Sequence, residues 1–256
     1  MKNQAHFLTV TGIITCILID LYQGIKLKFT NKEVILFDLD GTLIDSAPDL
    51  AVAINHMLTR ISQPTFSEDI IRSWVGNGAS TLVKRGLSGK SEIDLNLDQH
   101  LFEQSLQIFL SFYKDNLCVK TQLYPSVRAC LKILKARGYR LALVTNKPFE
   151  FIAPILQGLE LNGLFEILLG GDSLPKRKPD PLPLLHTSQV LNVSVEQCLM
   201  VGDSKNDILA AKAANIESVG LTYGYNYGED IGLHKPEAVF DDFSDLVAAL
   251  SPDYLR

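Results

Sequence analysis

The run Val34-Ile35-Leu36-Phe37 is continuously apolar, ends in Asp38, and is broken by Asp40-Gly41-Thr42. Such a run predicts a short buried strand, and the break predicts that the strand delivers two carboxylates, Asp38 and Asp40, to its end. The next segment, Ser46-Ala47-Pro48-Asp49, has the signature of a helix start, with Ser46 as N-cap and proline in the first turn. Leu50, Ala53, Ile54 and Met57 then recur at helical spacing. Further helices are predicted over Glu68 to Val75, Ala79 to Leu87 and Leu97 to Tyr113, the last with Phe102, Leu106, Phe109 and Tyr113 in one stripe.

Beyond Gln122 the pattern changes to an alternation of strand and helix. A helix closes at Gly138, and strands are predicted at Arg140 to Thr145, Phe165 to Leu169, Cys198 to Gly202 and Ser218 to Leu221. Helices at Pro148 to Leu161, Leu182 to Leu191 and Lys205 to Ala214 separate them, with an edge strand at Val239-Phe240 and a final helix from Phe243 to Leu250. This alternation predicts an α/β fold, a Rossmann-like doubly wound parallel sheet with helices on both faces. Uninterrupted helix right after an acidic strand end is more chain than a crossover needs. Residues 31–47 and 121–256 are therefore expected to form a discontinuous core, and residues 48–120 an inserted all-helical cap.

Residues 1–30 fit neither part. Phe7 to Ile19 is nearly all apolar and follows a weakly basic start, so a secretory signal or membrane anchor is one reading. The run is short for a span, Asp20 closes it, and no A-x-A-like site follows. The expectation is a segment packed on the domain surface, or a start site upstream of the real one.

Composition narrows the partners. The 256 residues are 46% hydrophobic, enough for a sizeable core, and 24 basic against 29 acidic residues leave a net charge of −5. That balance gives no electrostatic footprint for nucleic acid, so none is expected as partner. Cys16, Cys118, Cys130 and Cys198 are scattered without a C-x-x-C, which points to buried thiols in a reducing cytoplasm rather than a zinc site or disulfide framework.

Three further strand ends carry polar residues. Thr145 with Asn146 and Lys147 closes one strand, where a hydroxyl and backbone N–H groups can receive a phosphoryl oxygen; β-branched filling is the plainer reading of Thr145. Lys176-Arg177-Lys178-Pro179-Asp180-Pro181 is a cationic loop in which Pro179 restricts Lys178 to extended backbone; Lys176 and Arg177 read as solvated charge. Asp203 ends a buried strand and Asp207 starts the helix after it, where helix capping alone would explain an acid. Carboxylates converging with a lysine at one rim make a site for a hard divalent cation and a phosphate together.

DLDGT, the strand ending at Thr145, Lys178 in its K-P-x-P context and GDSKND resemble, in order, the four motifs of the haloacid dehalogenase superfamily, and the helical insertion resembles its C1 cap. Within it WVGNG, LVTNKP, LLGGD, VGDSKNDILAAKAA and GLTYGYNYGE are similar to the phosphoglycolate phosphatase group, over about Val34 to Glu229. The resemblance implies a magnesium-dependent phosphomonoester hydrolase acting on a small phosphorylated metabolite. The expected substrate is 2-phosphoglycolate, with another phosphate ester (sugar phosphate, nucleotide or pyrophosphate) or a non-catalytic phosphometabolite-binding module as alternatives.

It further implies Asp38 as nucleophile, Asp40 as general acid and base, and Thr145 and Lys178 as phosphoryl ligands. Mg²⁺ would be held by Asp38, the Asp40 backbone carbonyl and Asp203, with Asp207 acting through a water or through Lys178. On the substrate side the expected contacts are Thr42, orienting Asp40, with Asn146, Asn77 of the Gly76-Asn77-Gly78 loop, and Arg85 reaching the substrate carboxylate. Tyr223, Tyr225 and Tyr227 read equally as core or lid packing. Asn215 stands where such sequences often carry glycine, and asparagine tolerates the left-handed backbone needed there.

Overall fold

The computed structural model describes residues 29–250, so the Phe7 to Ile19 run and its alternatives lie outside the described residues. Among the described residues no helix is long and apolar enough to cross a membrane. Strand β1 (Val34–Phe37) is fully buried and takes the centre of a six-stranded parallel sheet. Its neighbours are β4 (Arg140–Val144) and β6 (Cys198–Gly202), with β5 (Ile167–Leu169) outside β4, and β7 (Glu217–Leu221) and β8 (Ala238–Phe240) outside β6. The chain builds one side of β1 and then the other, so the order reverses at β1. That reversal opens a crevice at the carboxyl ends of β1, β4 and β6, where doubly wound sheets bind their ligands.

Alternation along the strands sorts the core into two layers. Ile35, Phe37, Leu141, Leu143, Leu199 and Val201 face one side, and Val34, Leu36, Ala142, Val144, Cys198 and Met200 the other. Truncating a fully buried ring such as Phe37 to alanine costs about 3–5 kcal/mol.

Four helices are inserted after β1: α1 (Ala47–Arg60), α2 (Glu68–Arg72), α3 (Ala79–Ser88) and α4 (Gln99–Asp115). Phe102, Phe109 and Tyr113 of the predicted stripe are buried. The insertion is bracketed by a two-stranded antiparallel ribbon that the pattern did not predict, β2 (Ile44–Asp45) against β3 (Gln122–Leu123). The chain thus leaves the sheet and returns to it side by side. The remaining helices are α5 (Val127–Ala136), α6 (Ile152–Gly158), α7 (Leu182–Leu191), α8 (Lys205–Ala213) and α9 (Ser244–Ala249). Asn215 adopts φ +55°, the left-handed conformation expected of it.

Candidate active site

Asp38 follows β1 directly, its backbone N–H donating to Val201 across the sheet. The chain then turns sharply through Asp40-Gly41-Thr42, with Gly41 at φ +87°. Only glycine fits there: a Cβ would also lie 2.2 Å from Asp203 Oδ2. The close approach lets the Thr42 hydroxyl donate to Asp203 Oδ1 at 2.6 Å, while the Tyr225 backbone N–H donates to Oδ2 at 2.7 Å.

Asp203 and Asp207 come from the end of β6 and the first turn of α8. Asp207 is fully buried and does two things. Its Oδ2 caps the helix by accepting from the Ser204 N–H and hydroxyl, and its Oδ1 accepts from Lys178 Nζ at 2.6 Å. The same ammonium lies 3.0 Å from Asp38 Oδ1, close enough for an ion pair but not aligned as a hydrogen bond, so that buried oxygen keeps free lone pairs.

The carboxylates of Asp38, Asp203 and Asp207 each offer an oxygen within 4.8 Å of the others. Three acids facing one lysine leave excess negative charge in a buried place. Burial pushes the Asp38 carboxyl up to about 6 against the opposing pull of Lys178, and burial with the neighbouring Asp207 raises Asp203 well above the usual carboxylate range. All-oxygen donors, an unsaturated Asp38 oxygen and uncompensated charge fit a hard divalent cation.

Asp40 points away from this cluster. Its carboxylate accepts from the Ser46 hydroxyl at 2.5 Å and from Lys147 Nζ at 2.9 and 3.1 Å. Lys147 is buried, and Asp40 and Tyr113 hold it cationic against that burial. Asp38, Asp40, Thr145, Asn146 and Lys147 line one wall of a cavity of about 30 Å³, and Gly76, Gly78, Leu82, Phe109 and Tyr113 line the other from the inserted helices.

A family model described as haloacid dehalogenase-like hydrolase matches residues 32–215. The chain belongs to the haloacid dehalogenase-like hydrolase family. Curated relatives include the phosphoglycolate phosphatase of Colwellia psychrerythraea, 56% identical over 224 residues, which are 88% of this chain and 99% of that protein. That of Psychrobacter arcticus is 50% identical over 225 residues, 88% of this chain and 98% of the relative. A solved structure, a predicted phosphoglycolate phosphatase from Haemophilus somnus, matches with a TM-score of 0.79 at 43% identity, covering 85% of this chain and 97% of that one.

In this hydrolase Asp38, Asp203, Asp207 and Lys178 meet as the sequence led one to expect. Thr145 is buried at the cavity wall, its hydroxyl accepting from the Lys147 N–H at 3.2 Å. Asn146 also lines the cavity, but its amide donates to the carbonyls of Gly76 and Lys178, a brace between the inserted segment and the loop that carries Lys178.

Four expected roles are corrected. Thr42 does not orient Asp40, because its hydroxyl is taken by Asp203. Asn77 is absent from the cavity lining: its Oδ1 accepts from the Tyr227 hydroxyl at 2.7 Å, and its amide faces Asn206 at 3.4 Å. Arg85 is committed to other partners, donating to the carbonyls of Trp74 at 2.6 Å and Ser91 at 2.9 Å, with its guanidinium over the Tyr227 ring. Ser46 makes no side-chain cap; its hydroxyl goes to Asp40 instead.

Sequence reasoning missed Lys147 and Tyr225 as site residues. Lys147 stands beside a proline after a strand, where a lysine reads as solvated. The Tyr225 hydroxyl accepts from the Ser46 and Ala47 N–H groups at 2.9 and 3.1 Å and donates to Asp45, which Arg72 also grips. No local spacing signals either contact, since both join segments about 100 or more residues apart in the chain.

Proposed function

We propose that this protein is a magnesium-dependent phosphatase that hydrolyses 2-phosphoglycolate to glycolate and phosphate. The observation that carries the chemistry is the division of labour at one cavity: Asp38 sits in a three-acid cluster with Lys178, while Asp40 is held apart on Lys147. The names of the Colwellia and Psychrobacter relatives support the substrate.

Asp38 attacks phosphorus in line and forms an aspartyl phosphate, which splits hydrolysis into two easier displacements. Lys178 and Thr145 take the phosphoryl oxygens, Lys178 as a point charge already aimed at the nucleophile. Asp40 gives a proton to the departing glycolate oxygen and later takes one from the attacking water. Ser46 and Lys147 fix its carboxyl, and the ammonium beside it stabilises charge building on the leaving oxygen. Asp38, Asp203 and Asp207 would hold Mg²⁺, which when bound supplies a Lewis acid that screens the repulsion between nucleophile and phosphate. Thr42 and the Tyr225 N–H keep Asp203 turned toward that position.

The inserted helices act as a cap. A cavity of about 30 Å³ has room for a water or two, so the described state is closed and substrate enters by separation of cap from core along the β2–β3 ribbon. The test is turnover by the purified protein across a panel of 2-phosphoglycolate, sugar phosphates, nucleotides and pyrophosphate, with and without magnesium. The expected result is the highest kcat/KM on 2-phosphoglycolate, abolished by a chelator; preference for another ester would overturn the substrate assignment.

A further inference from the structure

With Arg85 turned away, the closed cavity needs another group to meet the acid end of the substrate. Lys147 is the only cation among the described residues lining it. Its Nζ contacts both oxygens of Asp40 and lies 4.9 Å from the centroid of the Tyr113 ring, bridging core and cap. Tyr113 is 1% exposed, clamped by stacking on Phe109 and by an edge contact with Phe151. Its hydroxyl makes no well-formed hydrogen bond among the described residues, and the Lys147 ammonium is the polar group that faces it. A buried hydroxyl without a partner is costly unless something else in the site satisfies it. Burial holds it protonated, its pKa pushed up to about 12, so it remains a donor at any working pH.

We infer that the Tyr113 hydroxyl and the Lys147 ammonium together read a carboxylate on the substrate, and so select phosphate esters whose acid group lies one carbon from the ester oxygen. This rests on the phosphatase reading above and names the specificity device of the same site. The geometry follows from Asp40. The ester oxygen must come within hydrogen-bond reach of Asp40 to receive a proton. In 2-phosphoglycolate the carboxyl carbon is two bonds further on, which brings the carboxylate to the groups that touch Asp40 on its cavity side. Those groups are Lys147 and, over it, Tyr113. Phe109, Phe151 and Leu82 line the cavity with apolar surface, and these three offer no hydrogen-bond partner to the hydroxyls of a sugar ring or to a base. Because Tyr113 comes from α4, the carboxylate is fully ligated only when the cap is shut. The acid end of the substrate thereby favours closure over an ester that lacks it.

Tyr113→Phe is the clean test, since substitution at Lys147 would also release Asp40 and slow every ester. Phenylalanine keeps the ring and its contacts with Phe109 and Phe151, so the variant should still fold, which its thermal midpoint checks. The magnesium-loaded native enzyme and Tyr113→Phe are compared on 2-phosphoglycolate and on 2-hydroxyethyl phosphate, an ester of similar size without the acid. One hydrogen bond to a charged group corresponds to about a 10- to 100-fold effect. The ratio of kcat/KM between the two esters should therefore fall at least about tenfold in the variant, through loss on 2-phosphoglycolate. An equal loss on both esters, or an unchanged ratio, would overturn the inference while leaving the phosphatase reading standing. A native enzyme with no turnover of 2-phosphoglycolate would overturn both.

Discussion

Lys178 Nζ lies 2.6 Å from Asp207 Oδ1, and both side chains are almost completely excluded from solvent. Asp207 at the head of α8 is thus at once a helix cap and the anchor that holds the lysine beside Asp38. A pair of this kind contributes little net stability while whole, because desolvation offsets the attraction, but breaking it leaves an uncompensated buried charge.

Replacing the lysine exposes that cost. Lys178→Met leaves Asp38, Asp203 and Asp207 facing one another without a cation. The metal-free variant should be less stable by about 3–5 kcal/mol. Magnesium should restore a larger share of stability in the variant than in the native protein. Urea denaturation with and without magnesium measures both; an unchanged metal-free midpoint would show that Lys178 does not neutralise the cluster.

Protons and magnesium compete for Asp38. Its folded-state pKa of about 6 stands above the ordinary 3.8 because burial disfavours the anion. A raised carboxyl contributes stability that is complete below the ordinary value and is lost as pH rises through about 6. Metal requires the ionised form, so the magnesium-induced rise in Tm should shrink as pH is lowered from about 7 to about 5. Thermal melts across that range check it. A magnesium shift independent of pH would mean that Asp38 is not a ligand.

Much of this fold was legible because the strands that carry the site are continuous apolar runs. Cys198–Gly202 and the helix Leu182–Leu191 fall at the expected residues, and Val34–Phe37 ends at the expected acid. The ribbon Ile44–Asp45 against Gln122–Leu123 was not legible, because two-residue strands carry no periodicity and their pairing depends on the whole insertion lying between them. That Asp38, Asp203 and Lys178 come together could be read from residue type, the two acids at strand ends and the lysine in its proline-flanked loop. Roles that depend on which way a side chain turns could not. Arg85 and Lys147 are both cations near helix or strand termini, and only packing sends the first to the backbone carbonyl of Trp74 and the second to Asp40.

Tyr225 ties the loop after β7 to the start of α1. Tyr225→Phe leaves the Ser46 and Ala47 N–H groups without their acceptor at the start of α1 and removes a donor from Asp45. The expected destabilisation is about 2 kcal/mol. Chemical denaturation measures it, and an unaltered midpoint would contradict the contact's contribution.

Gly224 is packed against the back of Asp203: a Cβ there would lie 2.2 Å from both Asp203 Cβ and Oδ2. Gly224→Ala should displace the carboxylate and weaken magnesium binding by about tenfold or more. Calorimetric titration of the metal reads this directly. Native affinity in the variant would place Asp203 outside the coordination of the ion.

The account depends above all on Asp38 forming a bond to phosphorus. Acid-quenching the magnesium-loaded enzyme during turnover of 2-phosphoglycolate, reducing it with borohydride and sequencing its peptides by mass spectrometry tests that bond directly. The result predicted here is conversion of Asp38, and of no other aspartate, to homoserine, the product of reducing an acyl phosphate. An enzyme in full turnover whose Asp38 is recovered unmodified, with reduction at another acid, would contradict the covalent scheme.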